Sequence, residues 1–187
     1  MKIIDTKIPE IKIIEPKIFG DERGFFYETF QARRYAELLN IQDTFVQDNF
    51  SRSQKGVLRG LHYQSQQPQG KLVSVLSGAV FDVAVDIRLG SPTFGMWAGV
   101  VLSAENRRQF WIPQGFAHGF YVLSSFADFA YKCTDYYHPE SEFSISYCDP
   151  DLAIDWPLEG ELQLSSKDKA AKPLGMIDAQ FLPTYRE

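Results

Sequence analysis

The chain has 187 residues, 44% hydrophobic and 23% charged, which allows a sizeable core and excludes intrinsic disorder. Its net charge of −5 argues against nucleic acid as a partner, because phosphate backbones are bound by basic surfaces. No stretch approaches the roughly 20 apolar residues of a membrane span, and Met1–Lys7 is charged too early for a secretion signal. The expectation is a cytoplasmic protein with no membrane partner and a single domain over residues 1–187. Cys133 and Cys148 lack framework or zinc-site spacing and read as two reduced, buried thiols.

In chain order, Asp21-Glu22-Arg23-Gly24 reads as a turn leading into the aromatic strand Phe25-Phe26-Tyr27-Glu28. A helix is expected over Gln31–Leu39, with Tyr35, Leu38 and Leu39 on one face. Gln47, Asn49 and Ser51 then form a polar parity opposite Val46, Asp48 and Phe50, which suits a strand facing either a ligand cavity or water. In Val57-Leu58-Arg59-Gly60-Leu61-His62-Tyr63, strict alternation puts Arg59 and His62 on opposite faces. A bulge at Gly60 would bring them to one side.

Lys71 opens the run Leu72–Leu76. It faces a cavity only if Val73 and Val75 do so and Leu72 and Leu76 point outward. Ala79–Arg88 is the clearest strand, with Phe81, Val83, Val85 and Ile87 on one face and Val80, Asp82, Ala84, Asp86 and Arg88 on the other. Ser77-Gly78 before it suggests a hairpin with the preceding strand. Further strands are expected at 97–102, 109–112, 119–123 and 126–134. A short helix is expected at Ser165–Ala171, with Ser165 or Ser166 as N-cap and Asp168 in its first turn. Short runs rich in Val, Ile, Phe and Tyr, punctuated by glycine, indicate a sandwich or barrel.

Only three histidines occur, so a base working near neutral pH has few candidates. His118 closes Pro113-Gln114-Gly115-Phe116-Ala117-His118, a Pro-x-Gly-x-x-His run that resembles the second motif of cupins. The first cupin motif, His-x-His with a nearby glutamate, is replaced by His62-Tyr63-Gln64, and no glutamate lies between Gly56 and Ala104. No metal site is therefore expected.

The segments Asp21–Glu28, Val46–Asn49, Gly56–Tyr63, Val80–Arg88, Gly90–Gly95, Gly115–Phe120, Asp155–Pro157 and Leu164–Asp168, in this order, resemble the dTDP-4-dehydrorhamnose 3,5-epimerase family. The resemblance implies an all-β, cupin-type jelly-roll barrel with a few short peripheral helices. It also implies an isomerase of rhamnose biosynthesis for cell-wall polysaccharide that needs no cofactor. It implies that His62 is the general base, Asp168 its partner, Tyr131 the acid on the opposite face of the sugar, and Lys71 the cation that steadies an enolate oxygen. It places Phe19, Arg23, Glu28, Gln47, Asn49, Arg59, His118, Tyr137, Glu142 and Lys167 on the nucleotide sugar. It further implies a homodimer in which the Arg23–Glu28 strand reaches the neighbour's site. The alternatives are a relative that inverts only C3 or only C5, and a non-catalytic nucleotide-sugar-binding cupin.

Overall fold

The computed structural model describes residues 1–185. Its strands are β1 (Lys2–Asp5), β2 (Lys12–Glu15), β3 (Ile18–Asp21), β4 (Gly24–Tyr27), β5 (Gln47–Gln54), β6 (Leu58–Gln64) and β7 (Lys71–Ser77). They continue with β8 (Ala79–Asp86), β9 (Trp97–Ser103), β10 (Gln109–Ile112), β11 (Phe116–Val122), β12 (Phe126–Cys133) and β13 (Glu142–Ser144). Two α-helices, α1 (Ala32–Leu39) and α2 (Ser166–Lys169), and three single 3₁₀ turns complete the described elements.

Two antiparallel sheets form the body, one ordered β1-β2-β10-β7-β12-β5 and the other β13-β6-β11-β8-β9. This is the expected cupin-type jelly roll. β3 and β4 pair only with each other, in a separate hairpin.

The expected hairpin at Ser77-Gly78 does not form. β7 pairs with β10 and β12, and β8 pairs with β11 and β9, so the chain changes sheet at Gly78. Gly78 has φ +76°, and a Cβ there would lie 2.0 Å from the Phe126 carbonyl oxygen. A turn does form at this glycine, but the jelly roll uses it to cross between sheets.

Three apolar clusters hold these layers. Val73, Val75 and Phe129 meet Val80, Ala84, Phe116 and Phe120 between the sheets. The outward parity of β8, Val83 and Val85, is covered with Leu61 and Tyr63 by the C-terminal residues Leu152, Trp156, Leu174 and Ile177. Tyr35 and Leu39 of α1 pack on Leu72, Trp111 and Ile14. Leu38, expected on that same face, is instead 47% exposed: Tyr35 and Leu39, one turn apart, carry the contact. Gln31 caps α1, its side chain accepting from the Arg34 N–H at 2.6 Å.

Below the barrel, buried Asp86 accepts from Arg88 Nη2 at 2.7 Å and from Ser91 Oγ and Thr93 Oγ1 at 2.6 Å each. The Arg88 guanidinium also bonds Glu10 at 2.9 Å and lies over the rings of Phe116 and Tyr185. Cys133 is buried but Cys148 is exposed, a correction to the expectation of two buried thiols. Cys148 sits in the surface segment after β13 rather than on a strand's inner parity. No helix is long and apolar enough to cross a membrane.

Candidate active site

A cavity of about 410 Å³ opens between the two sheets. The polar parity of β5 faces it, with Gln47, Asn49 and Ser51 in its wall and Phe50 turned out and 61% exposed. Arg59 and His62 both line it. Their shared side comes from the irregularity the glycine suggested. β6 pairs His62 with His118 but Arg59 with Phe120, so the register slips between them. Gly60 has φ +106°, and a Cβ there would meet the His118 carbonyl oxygen at 2.5 Å; only glycine fits the slip without a clash.

Lys71 also lines the cavity. Val73 and Val75 face inward, Leu72 packs beneath α1, and Leu76 is 51% exposed. This is the parity that gives the lysine an inward side chain. Burial pushes the Lys71 amine below its ordinary pKa, opposed by Cys133 and by the carboxylates of Glu142 and Asp82. Tyr131 stands on β12, cross-strand from Val73 and Asn49. Burial raises its phenol, and the nearby Cys133 and Glu142 add to the effect.

His62 Nε2 lies 2.6 Å from Asp168 Oδ1. Their sequence separation of 106 is bridged by the C-terminal segment, which pairs Gln163 with Val57 and lays α2 beside β6. Ser165 caps α2, accepting from the Asp168 N–H at 3.0 Å and donating its hydroxyl to Asp168 Oδ2 at 2.7 Å. Burial alone raises the Asp168 carboxyl, but the bonds from His62 and Ser165 outweigh it and hold the group below its ordinary value. An ionised Asp168 accepts the Nε2 proton and leaves Nδ1 as the basic nitrogen.

His118 is paired in the same way: its Nε2 lies 2.9 Å from Asp82 Oδ1 and 3.0 Å from Oδ2, and its ring stacks on Phe129. Asp82 is fully buried and was not among the expected site residues. Its signal was present, as an acid on the inward parity of the clearest strand. Gln64, Gln69, Gly119, Phe120 and Phe129, also unexpected, line the cavity.

At the mouth, Glu142 Oε2 accepts from Tyr137 Oη at 2.8 Å and from Lys167 Nζ at 2.5 Å. Its Oε1 lies 3.9 Å from His62 Nδ1. Arg59 donates through Nε to Ser53 Oγ at 3.0 Å. Phe19, Arg23 and Glu28 are not brought to this cavity. Phe19 and Arg23 line a separate hollow on the hairpin, where Arg23 bonds Asp21, and Glu28 bonds Arg34 at 2.6 Å. Among the described residues no grouping of three His, Cys, Asp or Glu is arranged to hold a metal ion.

Paired imidazole–carboxylate groups, an enclosed cation and a half-buried phenol around one cavity define an acid–base site on a cupin-type barrel. The family model described as dTDP-4-dehydrorhamnose 3,5-epimerase matches residues 5–175. The chain is 56% identical to the Pseudomonas aeruginosa enzyme of that name, over 98% of this chain and all of the relative. A solved structure from Legionella pneumophila, a dTDP-6-deoxy-D-glucose-3,5-epimerase in complex with dTDP-4-keto-L-rhamnose, is 78% identical. It superposes with a TM-score of 0.98, covering 100% of this chain and 99% of that one. A 3′-monoepimerase from Streptomyces bikiniensis in complex with dTDP-quinovose is 35% identical, with a TM-score of 0.89 over 97% of this chain and 92% of that one. The chain belongs to the dTDP-4-dehydrorhamnose 3,5-epimerase family.

Proposed function

We propose that this protein is a dTDP-4-dehydrorhamnose 3,5-epimerase, acting as a single cytoplasmic domain of rhamnose biosynthesis. It converts dTDP-4-dehydro-6-deoxy-D-glucose to dTDP-4-dehydro-L-rhamnose. The observation that carries the reading is the 2.6 Å bond from His62 to Asp168 in a cavity that also holds Lys71 and Tyr131. The ligand in the Legionella structure supports the substrate class.

The C4 ketone acidifies the hydrogens on C3 and C5. His62 Nδ1 takes one, and the C–H electron pair moves through the new C=C bond to the ketone oxygen as an enolate. Asp168 stabilises the imidazolium that results. The Lys71 ammonium offsets charge on the enolate oxygen in an enclosed site, where such a group is worth most. The Tyr131 hydroxyl then delivers a proton to the other face of the carbon and the ketone re-forms. His62 loses its proton to solvent, Tyr131 regains one, and the cycle repeats at the second carbon. Arg59 and Lys167 supply cations for the diphosphate, Tyr137 flanks the base, and Gln47, Asn49, His118 and Glu142 hold the sugar.

Phe19, Arg23 and Glu28 serve the site of a second copy in a homodimer. Support comes from the hairpin that carries Phe19 and Arg23: it exposes Phe25 and Phe26 by 58% and 69% and pairs with neither main sheet. Sedimentation should report a dimer, and activity lost in Arg23→Ala should return when it is mixed with His62→Ala subunits.

Incubation with dTDP-4-keto-6-deoxyglucose in deuterium oxide tests the function. The expected product has the L-rhamno configuration with deuterium at both C3 and C5. The 3′-monoepimerase among the structural relatives favours one other reading, inversion at C3 alone. Deuterium confined to C3 would establish that reading and overturn ours.

A further inference from the structure

Lys71 borders two cavities. One is the site of about 410 Å³ described above. The other is a small one of about 10 Å³, lined by Tyr63, Gln69 and Lys71, with Phe116 and Pro183 in the rest of its wall. That is on the order of the room a single water molecule needs. Tyr63 is only 5% exposed, and its hydroxyl is buried with no hydrogen-bond partner among the described residues. Its ring is held by stacking on Phe143, with centroids 5.6 Å apart. A buried phenol without an acceptor is costly, and native structures satisfy nearly all such groups with protein or ordered water.

Lys71 has a complementary need. An ammonium carries three N–H donors and no acceptor, so one donor on an enolate oxygen leaves two. The carboxylates whose charge reaches it, Glu142 and Asp82, are engaged elsewhere, by Tyr137 and Lys167 and by His118. Gln69 offers an oxygen: its Nε2 donates to the Asp135 carbonyl at 2.9 Å, which leaves Oε1 to accept.

We infer that the small cavity is a site for one ordered water, which accepts from the Lys71 ammonium and the Tyr63 hydroxyl and donates to Gln69 Oε1, and that Tyr63 is thereby a positioning residue for the lysine. This deepens the function proposed above, and its consequence for turnover rests on that function. No covalent step is involved.

The choice of partners has a chemical reason. A carboxylate in this place would neutralise the charge that an enolate oxygen needs nearby. Water and a phenol solvate the ammonium without cancelling it. Burial pushes the Tyr63 phenol up to about 12, so it is neutral around pH 7. Burial also disfavours the Lys71 ammonium, and a fixed acceptor behind it opposes that effect. The other titratable groups on the cavity side of Lys71 are Arg59 and His62 from β6, Asp82 from β8, His118 from β11, Tyr131 and Cys133 from β12, and Tyr137 and Glu142 at the mouth. β10 sets the apolar Ile112 opposite it. None of these groups lines the small cavity.

Tyr63→Phe keeps the ring on Phe143 and removes one oxygen. In ¹⁵N-lysine-labelled protein without substrate, the Lys71 amine should titrate about one pH unit lower than in the wild type. The alkaline limb of kcat should move down with it, and dTDP affinity should be unchanged. Gln69→Glu puts a carboxylate where the amide oxygen stands, so it should move the titration the other way, to higher pH. A high-resolution crystal structure of the wild type should show one water within hydrogen-bonding distance of Lys71 Nζ and Tyr63 Oη.

The same Lys71 titration in Tyr63→Phe and wild type would overturn the inference. So would a wild-type crystal structure without that water, or a kcat in Tyr63→Phe lowered equally at every pH, the mark of a merely structural role. If the titration moves as expected but the wild type epimerises nothing, the proposed function fails and the water site stands.

Discussion

His62 and His118 are direct cross-strand partners on β6 and β11, and each ring is bonded through Nε2 to its own buried carboxylate, Asp168 and Asp82 respectively. The two pairs differ in setting. The His62 side chain is 27% exposed and that of His118 10%, and only His62 has a second carboxylate beyond its free nitrogen. One imidazole stands at the cavity surface; the other is part of its wall.

His62→Ala should therefore abolish solvent exchange at both sugar carbons while dTDP still binds. Loss of general-base help typically costs about 10²–10⁴-fold. Asp168→Asn should lower kcat strongly and leave nucleotide affinity nearly unchanged, because its carboxylate touches His62 and Ser165. Deuterium wash-in by NMR and dTDP titration calorimetry check both. Full activity in Asp168→Asn would dissolve the pair as a working unit.

Tyr131→Phe should separate proton removal from proton return. His62 and Lys71 remain in place, so a proton still leaves. With its opposite-face donor gone, the carbon should recover a proton from the face it left. The expected signature is deuterium incorporation with the starting configuration largely kept. Normal inversion at the wild-type rate would show that Tyr131 only packs against Phe129, whose ring centroid lies 5.9 Å away.

Gly60→Ala should cost stability and activity together. The added Cβ would meet the His118 carbonyl oxygen at 2.5 Å and Gly119 Cα at 2.7 Å, at a φ of +106° that alanine rarely adopts. Backbone atoms cannot swing aside as a flexible side chain can. Loss of the register slip would turn Arg59 or His62 out of the cavity. A variant with the wild-type melting temperature and kcat would show the slip to be tolerant.

Asp86→Asn should destabilise the fold by about 3–5 kcal/mol, the usual cost of stripping one partner from a buried ion pair. Burial pushes the Asp86 carboxyl up, but the bonds from Arg88, Ser91 and Thr93 outweigh it and hold its folded pKa below the ordinary 3.8. A depressed folded pKa means that its stabilisation is present above the unfolded value and is lost as pH falls through the folded one. Urea unfolding from pH 7 to pH 3 should show the wild type losing stability below about pH 4, with a shallower acid limb in Asp86→Asn. Parallel limbs would assign the acid sensitivity elsewhere.

Chelation should leave turnover unchanged, because the donor set around the cavity is not a metal-binding set. His62 and His118 each commit Nε2 to a carboxylate, and no third nitrogen, sulfur or acid completes a cluster among the described residues. Activity lost to a chelator and restored by one divalent ion would overturn this.

Much of this was legible in the sequence where the signal was local. Period-2 alternation marked β8, and Ser165 announced the cap that holds Asp168; β11, expected at 119–123, starts earlier, at Phe116, inside the Pro-x-Gly-x-x-His run. Gly60 flagged the bulge that reconciles Arg59 with His62. What periodicity could not carry was pairing across the chain. Ser77-Gly78 had the appearance of a hairpin because a turn residue specifies a reversal, not the sheet on which the next strand lands. The bond between His62 and Asp168 depends on Gln163 joining Val57 at the barrel edge, a long-range contact no window of residues contains. Only the family resemblance put those two side by side. Asp82 went unread because an acid on an inward parity acquires meaning only when His118 is known to lie opposite, as its register with Ala84 and that of Phe120 with Asp82 arrange.

The proposed base and acid are mounted on different sheets, His62 on β6 of the five-stranded one and Tyr131 on β12 of the six-stranded one, beside Lys71 on β7. Sheets packed face to face stand about 10 Å apart, a gap of the right order for one pyranose ring with a reactive group on each side. A sugar lodged there presents its two faces to two different walls, so a proton drawn to one wall is replaced from the other. Had both groups been carried on one sheet, the proton would return to the face it left and the starting configuration would be restored. On the proposed assignment of His62 and Tyr131, the configuration of the product is an architectural outcome: the layering of the barrel sets the face from which each carbon is reprotonated.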